Sequence, residues 1–363
     1  MKVDIAVFMP SFGSGGAERM TINLCRGLSE ANKKVDLVVR SGDIPFKQML
    51  NRHIRIVRLK GNKKNIVSQL INYLRENTPK VLLSTKGGDR EAIEAKYKGN
   101  MDVKVVLRHG TTFSKRDKDR FFLKRIISRY KLKRTLPKAD LIIAVSNGVA
   151  EDIIRLTIIQ EKKVKILPNP TIVPEIFELA KQEVDHPWFR EKKYPIILGA
   201  GGFRRAKDFP TLIKAFGIVR SHLQARLVIL GDGRQRTKVE DLIKGLGLSN
   251  EVWLPGFREN PYSFMRSADL FVLSSIWEGS PNVLIESMAL GTPVVSTDCP
   301  SGPREILANG KYGKLVPMQC PKEMATAILH SLRTPMRREI IQQGVKRFEL
   351  KNSIQEYIEA LEL

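Results

Sequence analysis

Two carboxylates eight residues apart carry the most chemical information in this chain. Residues 278–286 read Glu-Gly-Ser-Pro-Asn-Val-Leu-Ile-Glu. Ser280 is predicted to be a helix N-cap and Pro281 the first helical residue, which places Glu286 in the second turn of an apolar helix. A carboxylate there is costly to bury unless it is paired or hydrogen-bonded. The spacing alone leaves two interpretations: a ligand such as a sugar diol, or a buried ion pair with a base such as Arg304.

The surrounding motifs favour the ligand. In order they are Leu-Pro-Gly-Phe at 254–257, Ala-Asp-Leu-Phe-Val-Leu-Ser-Ser at 268–275, the two-carboxylate segment, Gly-Thr-Pro-Val-Val at 291–295 and Ser-Gly-Pro-Arg-Glu at 301–305. This run resembles the donor-sugar half of the retaining glycosyltransferases of family 4, which have the GT-B fold. The resemblance implies that Glu286 holds ribose hydroxyls and Glu278 sugar hydroxyls of a nucleotide-diphosphate sugar, with UDP the expected nucleotide. It places the first-turn N–H groups near the phosphates, at Ser280, Asn282, Val283 and Leu284.

A glycine-rich loop with three cations follows the predicted strand 195–200. Residues 199–209 read Gly-Ala-Gly-Gly-Phe-Arg-Arg-Ala-Lys-Asp-Phe. The resembled family places an arginine and, five residues later, a lysine here, and both hold the donor diphosphate. Lys207 matches the lysine, but Gly202 stands at the arginine position, so Arg204 or Arg205 is expected to substitute unless both simply face solvent. Fixed positive charge at this place stabilises the charge that develops on a departing diphosphate.

The first predicted strand also ends in a glycine-rich loop. Residues 11–19 read Ser-Phe-Gly-Ser-Gly-Gly-Ala-Glu-Arg. Glu18 occupies the place of the third glycine of a dinucleotide fingerprint, so the loop is not that motif. In the resembled family the loop abuts the transferred sugar and its diphosphate, which assigns Gly15 and Gly16 to donor binding; a tight strand-to-helix turn is the alternative. The resemblance likewise places His109, after the strand 103–107, beside the sugar.

Four further residues lie in turns at the ends of strands, and for three of them, Phe257, Arg258 and Asn169, the interpretation follows from the resemblance. Gly231, in a turn just beyond a strand, is expected to line the nucleotide pocket. Phe257 and Arg258 belong to a loop whose backbone reads the base. Asn169, in Leu-Pro-Asn-Pro at 167–170, is expected to be structural, at the end of the first domain. Ordinary strand-end connectors are the alternative for the two glycine-rich turns.

The size and element pattern indicate two domains. At 363 residues the chain exceeds what one core usually supports. Strand-like and helical runs alternate, as in parallel sheets covered by helices. We expect an α/β protein of GT-B architecture, two Rossmann-like doubly wound parallel-sheet domains facing across a cleft. The boundaries are 1–170 for an acceptor- and membrane-facing domain, 171–194 for a linker and 195–349 for a nucleotide-sugar domain, with a helix at about 350–363 packing back on the first.

The strands are predicted at thirteen places. These are 3–9, 35–39, 54–59, 80–84, 103–107, 141–145, 164–167, 195–200, 227–230, 252–254, 270–273, 294–296 and 314–316.

The net charge of +24 is concentrated in the first half of the chain. Residues 1–185 carry 37 Lys and Arg against 20 Asp and Glu, and residues 186–363 carry 25 against 18. Segment 115–138 holds eleven Lys and Arg, with apolar side chains from Phe122 to Tyr130 at helical spacing. This pattern is typical of a helix at an anionic membrane surface, and the cations expected there are Lys124, Arg125, Arg129 and Lys131. A solvated basic face, with the stripe packed on its own domain, and nucleic-acid binding are the alternatives.

Composition narrows the remaining possibilities. The three cysteines have no metal-like spacing, there is no Asp-x-Asp and no apolar run approaches 18 residues. These absences agree with the resemblance, which implies an enzyme that needs no metal or cofactor, and we expect it to be cytoplasmic and peripheral on the inner face of the cytoplasmic membrane. The reaction that the resemblance implies is transfer of a sugar, with retention, to a saccharide or lipid-linked saccharide. A nucleotide-sugar epimerase of the same fold and a non-catalytic basic nucleic-acid- or membrane-binding protein are the rival hypotheses.

Overall fold

A computed structural model describes residues 3–13, 15–40, 43–44, 46–60, 65–118 and 121–363. Ser14 of the first glycine-rich loop and Asp119 and Arg120 of the basic segment lie outside this range. The chain divides into two compact units. The first comprises residues 1–171 and 348–363, and the second comprises residues 172–347.

The first unit is a parallel sheet covered by helices. Its elements are β1 (Ile5–Phe8), α1 (Gly16–Glu30), β2 (Val35–Val39), β3 (Arg55–Arg58), α2 (Ile66–Asn77), β4 (Val81–Thr85), α3 (Asp89–Gly99), β5 (Lys104–His109), α4 (Phe113–Lys118), α5 (Phe122–Thr135), β6 (Leu141–Ala144), α6 (Asn147–Leu156), β7 (Val164–Ile166) and α16 (Leu350–Leu361). The described strands are ordered β3-β2-β1-β4-β5-β6-β7, all parallel. The order reverses at β1, as in doubly wound sheets that bind ligands beyond their carboxyl ends.

The second unit repeats this plan. Its elements are α7 (Pro174–Leu179), α8 (Pro187–Arg190), β8 (Ile196–Ala200), α9 (Phe209–Arg220), β9 (Arg226–Leu230), α10 (Arg236–Gly245), β10 (Val252–Gly256), α11 (Tyr262–Ser267), β11 (Leu270–Leu273), α12 (Asn282–Ala289), β12 (Val294–Thr297), α13 (Pro303–Ile306), β13 (Lys314–Val316), α14 (Pro321–Arg333) and α15 (Arg338–Gln343). The sheet order is β10-β9-β8-β11-β12-β13, again all parallel. β8, β11 and β12 are buried along their whole length, which is why they read as continuous apolar runs.

Of the segment predicted as a linker, residues 171–194, all but Thr171 folds as part of the second unit. It contains α7 and α8, each begun by a proline at its first helical position. The side chain of Asn260 donates to the carbonyl of Leu179 at 2.8 Å. The imidazole of His186 stacks on Trp253 with 3.8 Å between ring centroids. The proline- and charge-rich composition that suggested a linker is that of two short docked helices.

The last helix returns to the first unit. α16 packs on α1, where a Cβ at Gly27 would lie 2.4 Å from Cγ1 of Ile354, so the two helices approach too closely for any side chain at that position. Arg108, buried in β5, donates from Nε to the hydroxyl of Tyr357 at 2.9 Å and from Nη2 to Oδ1 of Asn169. Asn169 thus joins the sheet to the end of the first unit's main segment.

Helix α5 differs from its neighbours because it has no buried residue. Phe122, Leu123, Ile126, Ile127 and Tyr130 have exposed fractions between 48% and 62%. The alternative in which this apolar stripe packs against its own domain is therefore wrong. None of the described helices is long and apolar enough to cross a bilayer.

Candidate active site

The carboxyl edge of the second sheet brings five strand ends side by side. Phe257 follows β10, Gly231 follows β9, Gly201 follows β8, Ser275 follows β11 and Cys299 follows β12. Parallel strands end at one edge, so loops distant in sequence share one surface there. The loop after β8 contains Lys207, and the loop after β11 contains Glu278. These two loops are neighbours because β8 pairs with β11.

Lys207 and Glu278 form an ion pair at this edge. Nζ of Lys207 lies 2.7 Å from Oε1 of Glu278, and both side chains are largely buried, at 20% and 13% exposure. The lysine side chain lies against Gly201, where a Cβ would be 2.8 Å from Cε of Lys207. Two groups that sequence analysis assigned to opposite parts of one ligand are thus in direct contact with each other.

Hydroxyl and backbone groups hold this pair in place. Ser275 donates from Oγ to Oε1 of Glu278 at 2.6 Å, and Ser274 donates from Oγ to the carbonyl of Lys207 at 2.7 Å. The N–H of Glu278 donates to the carbonyl of Pro300 at 2.8 Å, in the loop after β12. Three strand-end loops are therefore tied together around one carboxylate, which fixes its orientation.

Position 231 requires a glycine, both for its backbone angle and for its close contact with Gly201. The φ of Gly231 is +124°, and a Cβ there would lie 2.0 Å from the carbonyl oxygen of Gly201. The Gly231 turn thus lets the loops after β8 and β9 lie in direct contact. Gly202, at the arginine position of the family, has more room: a Cβ there would lie 3.4 Å from Nε of Arg204 and 3.7 Å from the carbonyl oxygen of Asp232. The guanidinium of Arg204 therefore occupies the space beside Gly202, and both Arg204 and Arg205 are exposed.

Glu286 is buried, with an exposed fraction of 3%. The hydroxyl of Tyr262, on α11, donates to its Oε1 at 3.4 Å. Arg304, offered above as an ion-pair partner, instead holds Asp298 through Nε at 3.0 Å. The ion pair with Arg304 is therefore wrong, and a tyrosine hydroxyl meets part of the hydrogen-bonding need of this carboxylate.

Helix α12 begins one residue later than predicted. Pro281 is the N-cap, with φ −72° and ψ 96°, and Asn282 is the first helical residue, so Ser280 lies in the preceding bend. Because Pro281 has extended backbone angles, it ends the loop and does not join the helix. The N–H of Leu284 donates to the carbonyl of Pro281 at 3.0 Å, which engages one of the amides expected near phosphate. Asn282 and Val283 supply the earlier first-turn amides.

The periphery of this edge combines exposed and buried groups. Phe257 is 57% exposed, and Arg258 beside it is also exposed, in the loop after β10.

Cys299 is buried near Glu278. Burial, and secondly the carboxylate of Glu278, raise the pKa of the Cys299 thiol to about 12. Cys299 is therefore a neutral thiol at physiological pH and not a nucleophile.

In the first unit, Glu18 organises the glycine-rich loop after β1. This carboxylate is 1% exposed, accepts the N–H of Gly13 at 3.0 Å and pairs with Nζ of Lys86 in the loop after β4. A Cβ at Gly15 would lie 3.1 Å from Oε2 of Glu18. Gly15 is the N-cap of α1 and Gly16 its first residue, so both are exposed at the carboxyl edge of the first sheet.

His109 is the last residue of β5 and is buried, with an exposed fraction of 7%. Its Nε2 lies 3.9 Å from Oδ2 of Asp89, beyond hydrogen-bond range, and has no hydrogen-bond partner in the described structure. Burial lowers the pKa of His109, while the carboxylate of Asp89 opposes that shift. The imidazole is therefore neutral at pH 7, with one ring nitrogen in need of a partner.

The four cations expected at a membrane surface all belong to α5. Lys124, Arg129 and Lys131 are exposed and Arg125 is half-buried. The guanidinium of Arg125 lies 5.7 Å from the ring centroid of Phe122. Cationic and exposed apolar side chains therefore share this one helix.

Sequence reasoning missed Glu18, Lys86 and Ser275 as site residues. Glu18 was read only as an interruption of a fingerprint, although a carboxylate in the first helical turn after a glycine-rich loop can accept the loop's own N–H groups. Lys86 precedes two glycines at the end of a predicted strand, which is the same kind of signal that singled out Gly15 and Gly231. Ser275 lies within a quoted motif, but its contact with Glu278 depends on loop geometry.

The comparisons with known proteins decide the family. Residues 14–172 match the family model described as Glycosyltransferase Family 4, and residues 180–347 match the model described as Glycosyl transferases group 1. The N-acetylgalactosamine-N,N'-diacetylbacillosaminyl-diphospho-undecaprenol 4-alpha-N-acetylgalactosaminyltransferase of Campylobacter jejuni is 31% identical over 324 residues, which are 86% of this chain and 85% of that protein. The chain belongs to the family 4 glycosyltransferases.

Other similar proteins are more distant in sequence. The lipopolysaccharide core biosynthesis glycosyltransferase LpsE of Rhizobium meliloti is 26% identical over 320 residues, covering 86% of this glycosyltransferase and 84% of LpsE. A glycosyltransferase from Rickettsia africae has a TM-score of 0.80 at 18% identity, covering 99% of this chain and 98% of that one. Anabaena HepE, solved with UDP-glucose, has a TM-score of 0.78 at 20% identity, with 99% of each chain covered. These likenesses confirm the GT-B fold of this glycosyltransferase.

Proposed function

We propose that this glycosyltransferase moves a sugar, with retention and without a metal, from a UDP-sugar to a saccharide or lipid-linked saccharide at the inner face of the cytoplasmic membrane. The observation that carries the proposal is the Lys207–Glu278 pair, with 2.7 Å between Nζ and Oε1, at the carboxyl edge of the second sheet. This edge is where doubly wound sheets bind nucleotides.

The pair suits a donor with both hydroxyls and phosphates. When a sugar diphosphate enters, Lys207 can turn to the phosphate oxygens while Glu278 accepts from sugar hydroxyls. Each charge then exchanges one partner for another, so neither is left buried and unpaired. Glu286, buried beside Tyr262, is proposed to accept the ribose hydroxyls, and the amides of Asn282 and Val283 to face the phosphates.

The choice of UDP is supported by a structural relative. HepE has been solved with UDP, with UDP and glucose and with UDP-glucose, and it shares the fold of this chain over 99% of its length. The loops that are proposed to take the nucleotide are those of Gly231 and of Phe257 and Arg258. The exposed ring of Phe257 is available to a planar base.

The proposed chemistry is front-face attack. The bond from the anomeric carbon to the diphosphate oxygen breaks, the acceptor hydroxyl forms the new bond on the same face, and its proton passes to the departing phosphate oxygen. Lys207, with Arg204 or Arg205, stabilises the negative charge on the leaving diphosphate. Gly15 and Gly16 of the first unit are proposed to contact the donor, and neutral His109 to hydrogen-bond a sugar hydroxyl through Nε2.

The proposed acceptor class follows from the relatives and from α5. The Campylobacter relative is named for a diphospho-undecaprenol substrate, and LpsE for lipopolysaccharide core biosynthesis. Helix α5 presents cations and exposed apolar side chains together, which suits an anionic bilayer surface. No feature of the described structure favours epimerisation or nucleic-acid binding over transfer.

Two substitutions test the donor site. Lys207→Ala should lower kcat about 100- to 1000-fold, because one preorganised charge stabilises the leaving group. Glu286→Ala should weaken UDP binding about tenfold or more, because it removes the acceptor of ribose hydroxyls. Release of UDP from a panel of UDP-sugars measures the first effect, and isothermal titration with UDP measures the second.

Matched controls are available on the same unit. Lys214 and Glu323 are exposed on α9 and α14, and their alanine variants should behave as wild type. All variants are compared by circular dichroism to establish that they fold. Wild-type turnover in Lys207→Ala together with wild-type UDP affinity in Glu286→Ala would overturn the proposed site.

A further inference from the structure

The first unit contains an open cleft of about 730 Å³ beside α5. Its walls come from Gly87 and the start of α3, from α4 and from α5, and all lie between residues 87 and 136. This volume is in the range of pockets that bind a small molecule or part of a larger one. We refer to it as the α5 cleft.

The α5 cleft has a positively charged lining. Arg90, Arg116, Lys124 and Lys131 line it, and Asp89 is the acidic side chain among its lining residues. Lys124 and Lys131 are seven residues apart on α5, so they project from the same face of the helix. Neither forms an ion pair with a carboxylate in the described part of the chain, whereas Arg90 pairs with Glu94 and Arg116 with Asp117. Two cations that are not neutralised locally are thus available to an anion.

The same cleft has apolar walls. Phe113, Phe121, Ile127, Leu132 and Leu136 line it, and Phe121 and Ile127 are 77% and 52% exposed. The guanidinium of Arg116 lies 4.9 Å from the ring centroid of Phe113, so charge and apolar surface are interleaved. A small hydrophilic phosphate would leave this apolar surface in contact with water. A ligand with an anionic head and an apolar chain would cover both kinds of surface.

One end of the α5 cleft lies near His109, the last residue of β5. Asp89 and Phe113 line the cleft, and each also neighbours His109. Oδ2 of Asp89 is 3.9 Å from Nε2 of His109, and the ring of Phe113 is 4.9 Å from the imidazole, edge to face. A ligand that fills the cleft therefore ends near the buried, unbonded nitrogen of His109.

We propose that the α5 cleft binds the diphosphate and the first isoprenyl units of a polyprenyl-diphosphate-linked acceptor. Lys124, Lys131 and Arg116 hold the two phosphates, while Phe121, Ile127 and Leu132 cover the start of the lipid chain. The saccharide extends from the phosphates towards His109. The rest of the lipid passes along the exposed apolar side chains of α5 into the bilayer. This inference rests on the proposed function, since it names the acceptor for the same transfer.

Farnesyl diphosphate, a short soluble isoprenyl diphosphate, is the probe for the cleft. Isothermal titration should show that it binds the full chain about tenfold or more tightly than inorganic pyrophosphate, because it covers the apolar wall as well. Lys124→Ala combined with Lys131→Ala should weaken binding of both probes about tenfold or more. Phe121→Ala should weaken binding of farnesyl diphosphate and leave that of pyrophosphate unchanged.

The charge-matched control is Lys133→Ala combined with Arg134→Ala, on the same helix but outside the cleft lining. It should bind both probes as wild type does. Equal losses in the two double variants would show that general charge attracts the probes, and equal affinity of wild type for the two probes would mean that the apolar wall takes no part. Either result overturns the inference.

A separate measurement distinguishes this inference from the proposed function. The thermal shift produced by UDP should be the same in wild type and in the Lys124, Lys131 variant, since neither lysine is among the residues proposed to bind the donor. Absence of any UDP shift in wild type would contradict the donor assignment. A normal UDP shift with unaltered farnesyl diphosphate binding in the variant would contradict the cleft assignment alone.

Discussion

At the scale of single residues, the loop after β8 has an arginine at position 204 and a glycine at position 202. The family's arginine is absent at position 202, but the side chain of Arg204 passes 3.4 Å from where a Cβ of residue 202 would lie. Gly202 does not have a positive φ in the range that disfavours side chains, and its neighbours leave room. The site can therefore receive a guanidinium from either position.

We predict that Arg204→Ala lowers kcat about tenfold to a hundredfold, since it removes one charge near the leaving diphosphate. The double variant Gly202→Arg, Arg204→Ala should recover most of this loss, because the guanidinium again reaches the same space. Steady-state UDP release measures both effects. The matching single variant Arg205→Ala should retain wild-type kcat; if instead it alone is impaired, Arg205 is the functional cation.

At the scale of secondary-structure elements, the contact of α1 with α16 depends on one glycine. Gly27 lies in the interior of α1, and a Cβ there would be 2.4 Å from Cγ1 of Ile354 and 2.8 Å from Cδ1 of Leu350. Gly217 lies in the interior of α9, where a Cβ would have its nearest neighbour, Cδ1 of Leu248, at an ordinary 3.7 Å. Both glycines thus lie in helix interiors, and they differ in how closely neighbouring side chains pack against them.

Gly27→Ala should destabilise the protein by about 1–3 kcal/mol, because the added methyl overpacks the α1–α16 contact. Gly217→Ala should instead be neutral or stabilise by up to about 1 kcal/mol, because alanine favours helix and the site has room. Urea denaturation followed by circular dichroism measures both. If the two variants have the same stability, close packing of α16 on α1 is not what requires Gly27.

The elements themselves could be predicted from sequence with few errors. Each strand predicted from the alternation of apolar runs is present, with ends displaced by at most a few residues, because fully buried parallel strands read as short apolar runs between polar turns. Residues 171–194 were misread because docking of α7 and α8 depends on contacts such as His186 with Trp253, which no local pattern encodes. Ser280 was misplaced because serine and proline are both common at helix starts.

The site could be predicted in part. Lys207, Glu278 and Glu286 were named from motifs, but their contacts were not. The pair between Lys207 and Glu278 joins residues 71 positions apart through the β8–β11 pairing, and Tyr262 meets Glu286 through helix packing. Glu18 was not predicted as a site residue because it holds the glycine-rich loop after β1 in place, and this role depends on three-dimensional proximity to Lys86.

At the scale of the whole molecule, charge and exposed apolar surface coincide. The net charge is +24, and α5 together with its N-cap Phe121 combines cations with six exposed large apolar residues. Because each cation near an anionic leaflet contributes about 1 kcal/mol, four of them would contribute roughly 4 kcal/mol to the proposed membrane attachment.

Neutralising Lys124, Arg125, Arg129 and Lys131 with glutamine should therefore reduce sedimentation with phosphatidylserine-containing vesicles by well over tenfold in affinity. Binding of wild type should weaken as salt is raised, since salt screens surface charge. A control with Lys238, Lys244, Lys314 and Lys322 changed to glutamine removes the same charge from exposed positions of the second unit. Equal loss in both quadruple variants would mean that net charge, and not α5, governs attachment.

The return of α16 to the first unit has a consequence for chain topology. The chain leaves the first unit after Thr171 and re-enters it at Phe348, and the N–H of Thr171 donates to the carbonyl of Phe348 at 3.1 Å. The two ends of the second unit therefore adjoin residues that this hydrogen bond joins. Exchange of residues 172–347 for the equivalent stretch of a relative has its two junctions, after residue 171 and before residue 348, close together in space, so recombination can replace the second unit while the first stays intact.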